Sequence, residues 1–352
     1  MKNIVDNIFL VLLFFVPVAL FAAYLNVSPL AIFFLSALAI VPLAKYIGEA
    51  TEELSIHTGP ALGGLLNATF GNATELLIGI FAIKEGLVEV VKASITGSII
   101  GNLLLVSGMA MLAGGWRHKK QEFNKTGALA ASSTLLLAAI ALIIPAIFLQ
   151  TAPDAGAKII EELSVFVAVA MLAVYIASLF FILYTHKHLY TQEVGKYEPK
   201  WSKTKSIIVL LLATLAVALM SEILVGTIKP VVDAFGWTEL FIGVIFVAII
   251  GNAAEHTSAI VTAMKNRMDL ALQISIGSAT QIAMFVAPFL VLISLFFARQ
   301  MSLVFNTFEL IAIVLSILIA NLVVEDGESN WFEGVQLLMA YMIMAVAFFF
   351  HP

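Results

Sequence analysis

The sequence predicts an all-α, polytopic membrane protein with about eleven transmembrane helices. Of its 352 residues, 61% are hydrophobic and only 12% are charged, whereas soluble domains are about half apolar and about a quarter charged. The apolar residues form continuous stretches of membrane-spanning length and lack the alternation that marks the strands of a barrel. This composition excludes a soluble enzyme, a nucleic-acid-binding protein and a disordered chain. The absence of cysteine excludes disulfides and thiolate metal sites.

Eleven stretches of the chain are long and apolar enough to cross a bilayer, which takes about 20 residues per helix. Their approximate bounds are 8–26, 29–50, 60–83, 93–114, 126–149, 161–184, 206–228, 239–263, 270–298, 303–324 and 332–350. The second stretch runs into polar residues at 48–53, so we expect this helix to be long or tilted. Residues 185–205 form a linker near the middle of the chain.

The basic residues predict the orientation of the chain in the membrane. Most of the 18 lysine and arginine residues lie at the amino terminus or in every second loop after it, with clusters at 117–125 and 187–205. Lysine and arginine are enriched in the loops that remain in the cytoplasm. We therefore expect a cytoplasmic amino terminus and an external carboxyl terminus.

The chain contains an internal repeat. The string GNATE at 71–75 aligns with GNAAE at 251–255, and the same offset of 180 residues aligns Gly97-Ser98 with Gly277-Ser278. Five spans separate the two copies, and because this number is odd the two halves are predicted to cross the membrane in opposite directions. Inverted repeats with a polar site at mid-membrane are typical of secondary transporters. The predicted organisation is an extra helix at 1–28, a first repeat at 29–184, a basic cytoplasmic linker at 185–205 and a second repeat at 206–352.

Two acidic residues lie at equivalent positions deep inside the third and eighth spans, Glu75 and Glu255. An ionised carboxylate at mid-membrane costs about 3 kcal/mol or more, and neither helix offers a basic residue one turn away. The two acids must therefore be protonated, bind a cation or share a water-filled cavity. The alternative is a pair of protonated, purely structural acids that form hydrogen bonds between helices.

Neutral oxygen donors accompany each glutamate. On a continuous helix Gly71, Asn72 and Glu75 share a face, and Gly251 and Asn252 repeat the pattern before Glu255. Carboxylates combined with neutral oxygens are the ligands that calcium prefers, and the sequence offers no cysteine or paired histidine for a softer metal. For the glycines alone, close helix packing is the alternative explanation.

Further polar residues lie in spans four and nine, which follow the glutamate-bearing spans, and on a possible access path to the two glutamates. Small and polar residues recur at helical spacing in spans four and nine, where they either line a cavity or pack two helices together. Those we expect to line the cavity are Ser98, Asn102, Ser278, Gln281 and His256, the last being either hydrogen-bonded to a neighbour or a proton sensor. Candidates for an access path are Glu222, Glu49 and Glu52, and Glu309 is expected to be solvated near a helix end.

These motifs resemble those of a known family. GLLNATFGNATE at 64–75, GNAAEH at 251–256 and DGESNWFEG at 326–334 are similar to the signature segments of calcium/proton antiporters, the CAX family of the cation/calcium exchanger superfamily. The resemblance covers nearly the whole chain. It implies an eleven-helix exchanger with calcium and proton sites at Glu75 and Glu255, assisted by Asn72, Asn252 and nearby main-chain carbonyls.

The resemblance also separates this chain from some members of the superfamily. Sodium/calcium exchangers carry serine- and proline-containing motifs before the glutamate, and their absence here favours protons as the coupling ion. The linker is net basic, so it does not resemble the acidic segment that many members carry between the two halves. The first predicted span begins near residue 8, so the chain does not resemble plant members in their long amino-terminal regulatory extension. The compact form is similar to bacterial members, which implies a bacterial plasma membrane.

The sequence therefore predicts an antiporter that exports cytoplasmic calcium in exchange for protons, with both ions competing for Glu75 and Glu255. A sodium- or potassium-coupled calcium exchanger and a calcium-permeable channel are the alternatives. An enzyme is not expected, because the chain has no HExxH, GxSxG or phosphate-binding motif. The expected partners are calcium, protons and the lipid bilayer. No cofactor or nucleic acid is expected, and the sequence leaves a homo-oligomer open.

Overall fold

The computed structural model of the chain describes residues 2–154, 156–185 and 199–351, and helices make up nearly all of this part of the chain. Eight described helices are long and apolar enough to span a membrane, two bent helix pairs are so when each pair is taken as one span, and one shorter apolar helix covers Thr307–Val323. These eleven segments coincide with the eleven predicted spans, so the predicted fold class is confirmed. Most of the predicted linker at 185–205 lies outside the described residues.

The chain forms two compact units. The first contains Met1–Glu85 and Ile176–Trp237, and the second contains Gly86–Tyr175 and Thr238–Pro352. Each unit therefore takes spans from both halves of the sequence repeat. The boundaries that we assigned to the repeats from the sequence stay a prediction.

The first unit consists of spans one, two, three and seven and the end of span six. Span two packs along span seven. Span two continues as a helix through the polar stretch at 48–53, where Glu53 accepts hydrogen bonds from the main-chain nitrogens of Lys200 and Trp201 at 2.8 and 3.0 Å. The helices of this unit are Lys2–Leu12, Phe15–Tyr24, Pro29–Thr58, Pro60–Phe70, Ala73–Lys84, the π-helical Phe181–Thr185, and Lys203–Phe235.

Span four lies at the centre of the second unit, and 83% of its most apolar 18-residue segment is buried. The helices of this unit are Val88–Ile100, Ser107–His118, Lys125–Thr151, Ala157–Phe180, Glu239–Phe241, Ala248–Gly251, Ala253–Ala263, Met268–Gln281, Ala287–Ser294, Thr307–Val323 and Trp331–Phe350. Three π-helical segments, Gly101–Val106, Ile242–Val247 and Ile282–Val286, continue the helices that precede them. Two-residue strands at Gln121–Glu122 and Glu328–Ser329 pair antiparallel.

The loops of the second unit gather into two sets, as alternating membrane crossings require. In one set, Gln121 donates to the carbonyl oxygen of Ala263 at 2.9 Å, and the two short strands join the loop after span four to the loop before span eleven. In the other, Gln150 donates to Thr307 at 3.1 Å and Arg299 to the carbonyl oxygen of Gly86 at 3.3 Å. Each set contains only loops that the sequence places on the same side of the membrane.

Two glycines allow spans four and eight to approach closely. A Cβ atom at Gly97 would overlap the carbonyl oxygen of Val244, and one at Gly243 would overlap the Cβ atom of Ala93. Small residues permit this kind of main-chain approach between membrane helices. The packing explanation therefore holds for these two glycines. It does not hold for Gly277, because a Cβ atom there would meet nothing within 4 Å.

We predict that Gly97→Ala destabilises the protein by about 1–3 kcal/mol, because an overpacked contact forces the two helices apart. The equivalent glycine of the second repeat provides the control. Gly277→Ala should be neutral or slightly stabilising, since alanine is the better helix former. Thermal unfolding of both variants in detergent measures the difference. Equal stability of the two variants would contradict the close packing of spans four and eight.

Candidate ion-binding site

Spans three and eight are broken at equivalent asparagines. The helical halves of span three meet at 44° and those of span eight at 59°. At the break Asn72 has φ −106° and ψ 18°, and Asn252 has φ −94° and ψ 13°. Each side-chain amide donates to the carbonyl oxygen four residues earlier, Asn72 to Ala68 at 3.1 Å and Asn252 to Ala248 at 2.9 Å. The same local structure thus occurs twice, 180 residues apart.

The sequence explains why both helices break here. The asparagine side chain forms hydrogen bonds with nearby main-chain groups and so competes with the regular bonds of the helix. Each asparagine also follows a glycine, which is a weak helix former. The expectation of one continuous helical face through Gly71, Asn72 and Glu75 is therefore wrong, since the helix ends at Phe70 and a new one begins at Ala73. These three residues line a break instead.

Each break places its glutamate in the first turn of the second half-helix. Glu75 lies in the first turn of Ala73–Lys84, and Glu255 lies in the first turn of Ala253–Ala263. The main-chain N–H groups at a helix amino terminus give it partial positive charge, which favours an ionised carboxylate. Burial away from water opposes ionisation. The position therefore suits a carboxylate whose charge is neutralised when a proton or a cation arrives.

The carboxylates and asparagines at the breaks are buried. Both carboxylate oxygens of Glu75 and the Oε2 atom of Glu255 are inaccessible to solvent, and Asn72 and Asn252 are each 1% exposed. In the part of the chain that the structure describes, Oε2 of Glu255 accepts no hydrogen bond. This oxygen is therefore a candidate ligand for a cation.

A cluster of four side chains holds the break in span eight, and we call it the Asn252 cluster: Ser98, Asn102, Asn252 and Ser278. Asn252 donates to Ser98 Oγ at 2.8 Å, while its Oδ1 atom accepts from Asn102 Nδ2 at 2.8 Å. Asn102 also donates to Ser278 Oγ at 3.0 Å. The structure thus brings three of the predicted cavity residues, Ser98, Asn102 and Ser278, together with Asn252, which we predicted as a calcium ligand. That they line a cavity stays a prediction.

The remaining predicted residues lie at separate places. Glu222 forms an ion pair with Lys84 at 2.9 Å, and Glu49 pairs with Lys45 at 3.4 Å. Glu52 is exposed, and both His256 and Gln281 are half-buried. That these residues line an access path or a cavity stays a prediction.

The prediction that Glu309 is solvated is wrong. This side chain is 1% exposed. Its Oε1 atom accepts from Thr96 Oγ1 at 2.9 Å, and its Oε2 atom accepts from the main-chain nitrogen of Asn306 at 2.9 Å, which closes a capping box. Proximity to a helix end suggested solvation, but the partner on span four lies far away in the sequence, and no local signal marks it.

The π-helical segments in spans four and nine were also not predicted. Gly101–Val106 contains Asn102, and Ile282–Val286 begins at the equivalent position of the second repeat. Such widened turns are frequent at functional sites. Among the described residues no group of three or more histidine, aspartate or glutamate side chains could hold a metal ion. A cation at either glutamate would therefore need neutral oxygens to complete its coordination.

An apolar helical protein with a buried carboxylate after each of two equivalent helix breaks has the features of a secondary membrane transporter. The sequence profile of the sodium/calcium exchanger proteins matches residues 28–184 and 205–350, and the chain belongs to this family. This match confirms the predicted resemblance to the cation/calcium exchanger superfamily, and the following relatives confirm the resemblance to its calcium/proton antiporters.

Individual relatives match over nearly the whole chain. It is 47% identical to the Ca²⁺/H⁺ antiporter of Synechocystis sp., over 99% of this chain and 98% of the relative. It is 48% identical to the Ca²⁺/H⁺ antiporter ChaA of Bacillus subtilis, over 95% of this chain and 96% of the relative. The solved structure of native YfkE superposes with a TM-score of 0.86 at 45% identity, and the match covers 97% of this chain and all of that one.

We predict that Asn252→Ala lowers the free energy of unfolding by about 1–3 kcal/mol, because it leaves buried groups of Ser98 and Asn102 without their partner. Ser98→Ala should have a smaller effect, since it removes one hydroxyl from the edge of the cluster. Ser94→Ala is the matched control, because that hydroxyl donates only within its own helix, to the carbonyl oxygen of Val91. Thermal unfolding in detergent ranks the three variants, and an Asn252→Ala variant as stable as Ser94→Ala would contradict the cluster.

Proposed function

We propose that the protein is a Ca²⁺/H⁺ antiporter that exports cytoplasmic calcium in exchange for entering protons by alternating access. The observation that carries the proposal is the buried glutamate placed in the first turn after an equivalent helix break in each repeat. The relatives named Ca²⁺/H⁺ antiporters, at 47% and 48% identity, support calcium and protons as the exchanged ions. The protein is a transporter and needs no cofactor for this exchange.

Competition for Glu75 and Glu255 couples the two ions. Two ionised carboxylates away from water are strongly disfavoured, and either one calcium ion or protons neutralise them. The protein then changes conformation only when the glutamates are loaded, because the empty, doubly charged state is the least stable in the membrane. Calcium and protons therefore move in opposite directions, and neither leaks without the other.

Neutral oxygens complete the calcium coordination, since calcium takes six to eight oxygen ligands. We assign this role to Asn72 and Asn252 and to the main-chain carbonyls at Gly71 and Gly251, where the helix breaks free main-chain groups from regular pairing. The half-helix amino termini that follow the breaks stabilise the carboxylates in their ionised form, which is the form that binds calcium.

The orientation follows from the distribution of the basic residues. The loop set that contains the cluster at 117–125 faces the cytoplasm, and the carboxyl terminus is external. With the bacterial relatives as support, we place the protein in the plasma membrane of a bacterial cell. Calcium then leaves the cytoplasm while protons enter down their gradient.

The direct test is calcium uptake by the purified protein in proteoliposomes under an imposed pH gradient, in buffers free of sodium and potassium. We expect uptake that follows the pH gradient and stops when the gradient is dissipated. Uptake that requires a sodium or potassium gradient would replace the proposal with a sodium- or potassium-coupled exchanger. Uptake without any counter-gradient, together with single-channel currents, would replace it with a channel.

We predict that Glu75→Gln and Glu255→Gln each abolish exchange while the protein remains folded. Glutamine keeps the size and one carbonyl oxygen of glutamate, but it carries no charge and exchanges no proton. The same uptake assay measures the loss, and Glu161→Gln serves as the control because Glu161 is exposed at the start of span six. Near-normal uptake by either central variant would contradict the model with two carboxylates.

We predict that calcium affinity falls as the pH falls, because protons occupy the carboxylates that calcium needs ionised. If one calcium ion displaces two protons, the affinity should drop by up to about two decades per pH unit on the acid side, and it should level off where both acids are ionised. In Glu75→Gln or Glu255→Gln the remaining binding should drop by at most about one decade per unit. Binding titrations at several pH values measure the slopes. An affinity independent of pH would rule out competition at these glutamates.

A further inference from the structure

Asn102 occupies the centre of the Asn252 cluster. Its side chain is 0% exposed, and its Nδ2 atom donates to Asn252 Oδ1 at 2.8 Å and to Ser278 Oγ at 3.0 Å. Asn252 uses its own Nδ2 atom toward Ser98 Oγ and the carbonyl oxygen of Ala248. The donor from Asn102 and the carbonyl oxygen of Ala248 together fix the orientation of the Asn252 amide, because the opposite rotamer would place two NH₂ groups against each other and two oxygens against each other. Ser278 Oγ adds a longer bond of 3.4 Å to the same Oδ1 atom.

The main chain of span four aims Asn102 at this position. Asn102 lies in the π-helical segment Gly101–Val106, and Ser107 Oγ donates to its carbonyl oxygen at 3.1 Å across the widened turn. Ser107 also shares a hydrogen bond of 2.8 Å with Ser275 of span nine. The widened turn is thus held in place independently of the Asn102 side chain.

The second repeat has the same main-chain feature but a different side chain. The offset that aligns Asn72 with Asn252 and Ser98 with Ser278 aligns Asn102 with Ile282. Ile282 begins the π-helical segment Ile282–Val286 and is 1% exposed. Isoleucine offers no hydrogen-bond donor. The two backbones match, but only the first repeat carries an amide at this position.

We propose that Asn102 is a positioning residue that acts through Asn252. The backbone angles at the two breaks are nearly the same, but the bend is 59° in span eight against 44° in span three. Asn102 holds this sharper bend, three residues before Glu255, and so fixes where the Glu255 carboxylate lies. This inference rests on the proposed exchange at Glu255. Calcium binding depends on the placement of several oxygens at once, whereas a proton needs only one, so the loss of Asn102 weakens calcium binding more than proton binding.

The test compares the wild type with two variants. Asn102→Ile gives the first repeat the side chain that the second repeat has at Ile282. Asn102→Leu keeps the shape of asparagine, in case the β-branched isoleucine prevents folding. We expect the calcium dissociation constant at alkaline pH to rise about tenfold in both variants, in line with the loss of one or two buried hydrogen bonds. The slope of calcium affinity against pH should stay at the wild-type value, because both glutamates remain. The slope separates this effect from the loss of a glutamate, as in Glu255→Gln.

Ser275→Ala is the matched control, since it also removes a hydrogen bond between spans four and nine, the one to Ser107, while Ser107 still donates to the carbonyl oxygen of Asn102. It should leave calcium affinity within about twofold of wild type. An equal loss in Ser275→Ala and Asn102→Leu would mean that general loosening of the two spans causes the effect, and the proposal would be wrong. Wild-type calcium affinity in both Asn102 variants would overturn it as well.

A structural readout tests the same proposal without transport. The chain has no native cysteine, so spin labels at Glu239→Cys and Lys265→Cys report the distance between the ends of span eight. Half-helices of about 20 and 17 Å, bent by 59°, become about 2 Å longer end to end if the bend relaxes to the 44° of span three, and about 5 Å longer if the break straightens. We expect a longer or broader distance distribution with Asn102→Ile or Asn102→Leu, and an unchanged one would contradict the positioning role. If the wild type exchanged no calcium, the proposed function would fail, whereas this distance would still decide whether Asn102 positions the break.

Discussion

The structure depends on one constraint, that main-chain polar groups inside a membrane must find partners within the protein. A helix meets this constraint automatically, and a broken helix does not. At both breaks an asparagine side chain donates to the carbonyl oxygen four residues earlier, and in span eight that oxygen also accepts from the main-chain nitrogen of Asn252 at 3.1 Å. The breaks are also buried, with each asparagine 1% exposed. The asparagine side chains thus tie the chain at each break to the half-helix before it.

The break changes what a buried glutamate can do. In the middle of a continuous helix the carboxylate would face paired main-chain groups and would simply be protonated. In the first turn of a half-helix it lies at the amino-terminal end, whose partial positive charge favours the ionised carboxylate, while burial disfavours it. These two effects oppose each other, and the proposed competition between calcium and protons at the glutamates is based on this opposition.

Hydropathy and repetition predicted the parts of the structure that local sequence determines. The eleven spans follow from apolar stretches. The equivalence of Glu75 and Glu255 in the repeat follows from the offset that also aligns Asn72 with Asn252. Features that depend on distant partners were not predictable. Glu309 is buried because Thr96 donates to it from another span, and Asn102 faces Asn252 because a widened turn directs it there. The helix breaks lie between these cases, since the Gly-Asn pair weakens the helix locally and a tertiary cluster fixes the bend in span eight.

The two repeats share their main-chain features and differ in the side chains that complete them. Both carry a broken helix and a widened turn, but Asn102 corresponds to Ile282. Gly97 is packed against Val244, whereas a Cβ atom at the equivalent Gly277 would meet nothing within 4 Å. Two identical inverted halves would give an exchanger inward- and outward-facing states of equal energy, and only the gradients would set a direction. For the proposed exchanger, unequal side chains remove that equality. Both differences lie on span four, where it contacts span eight through Asn102 and Gly97.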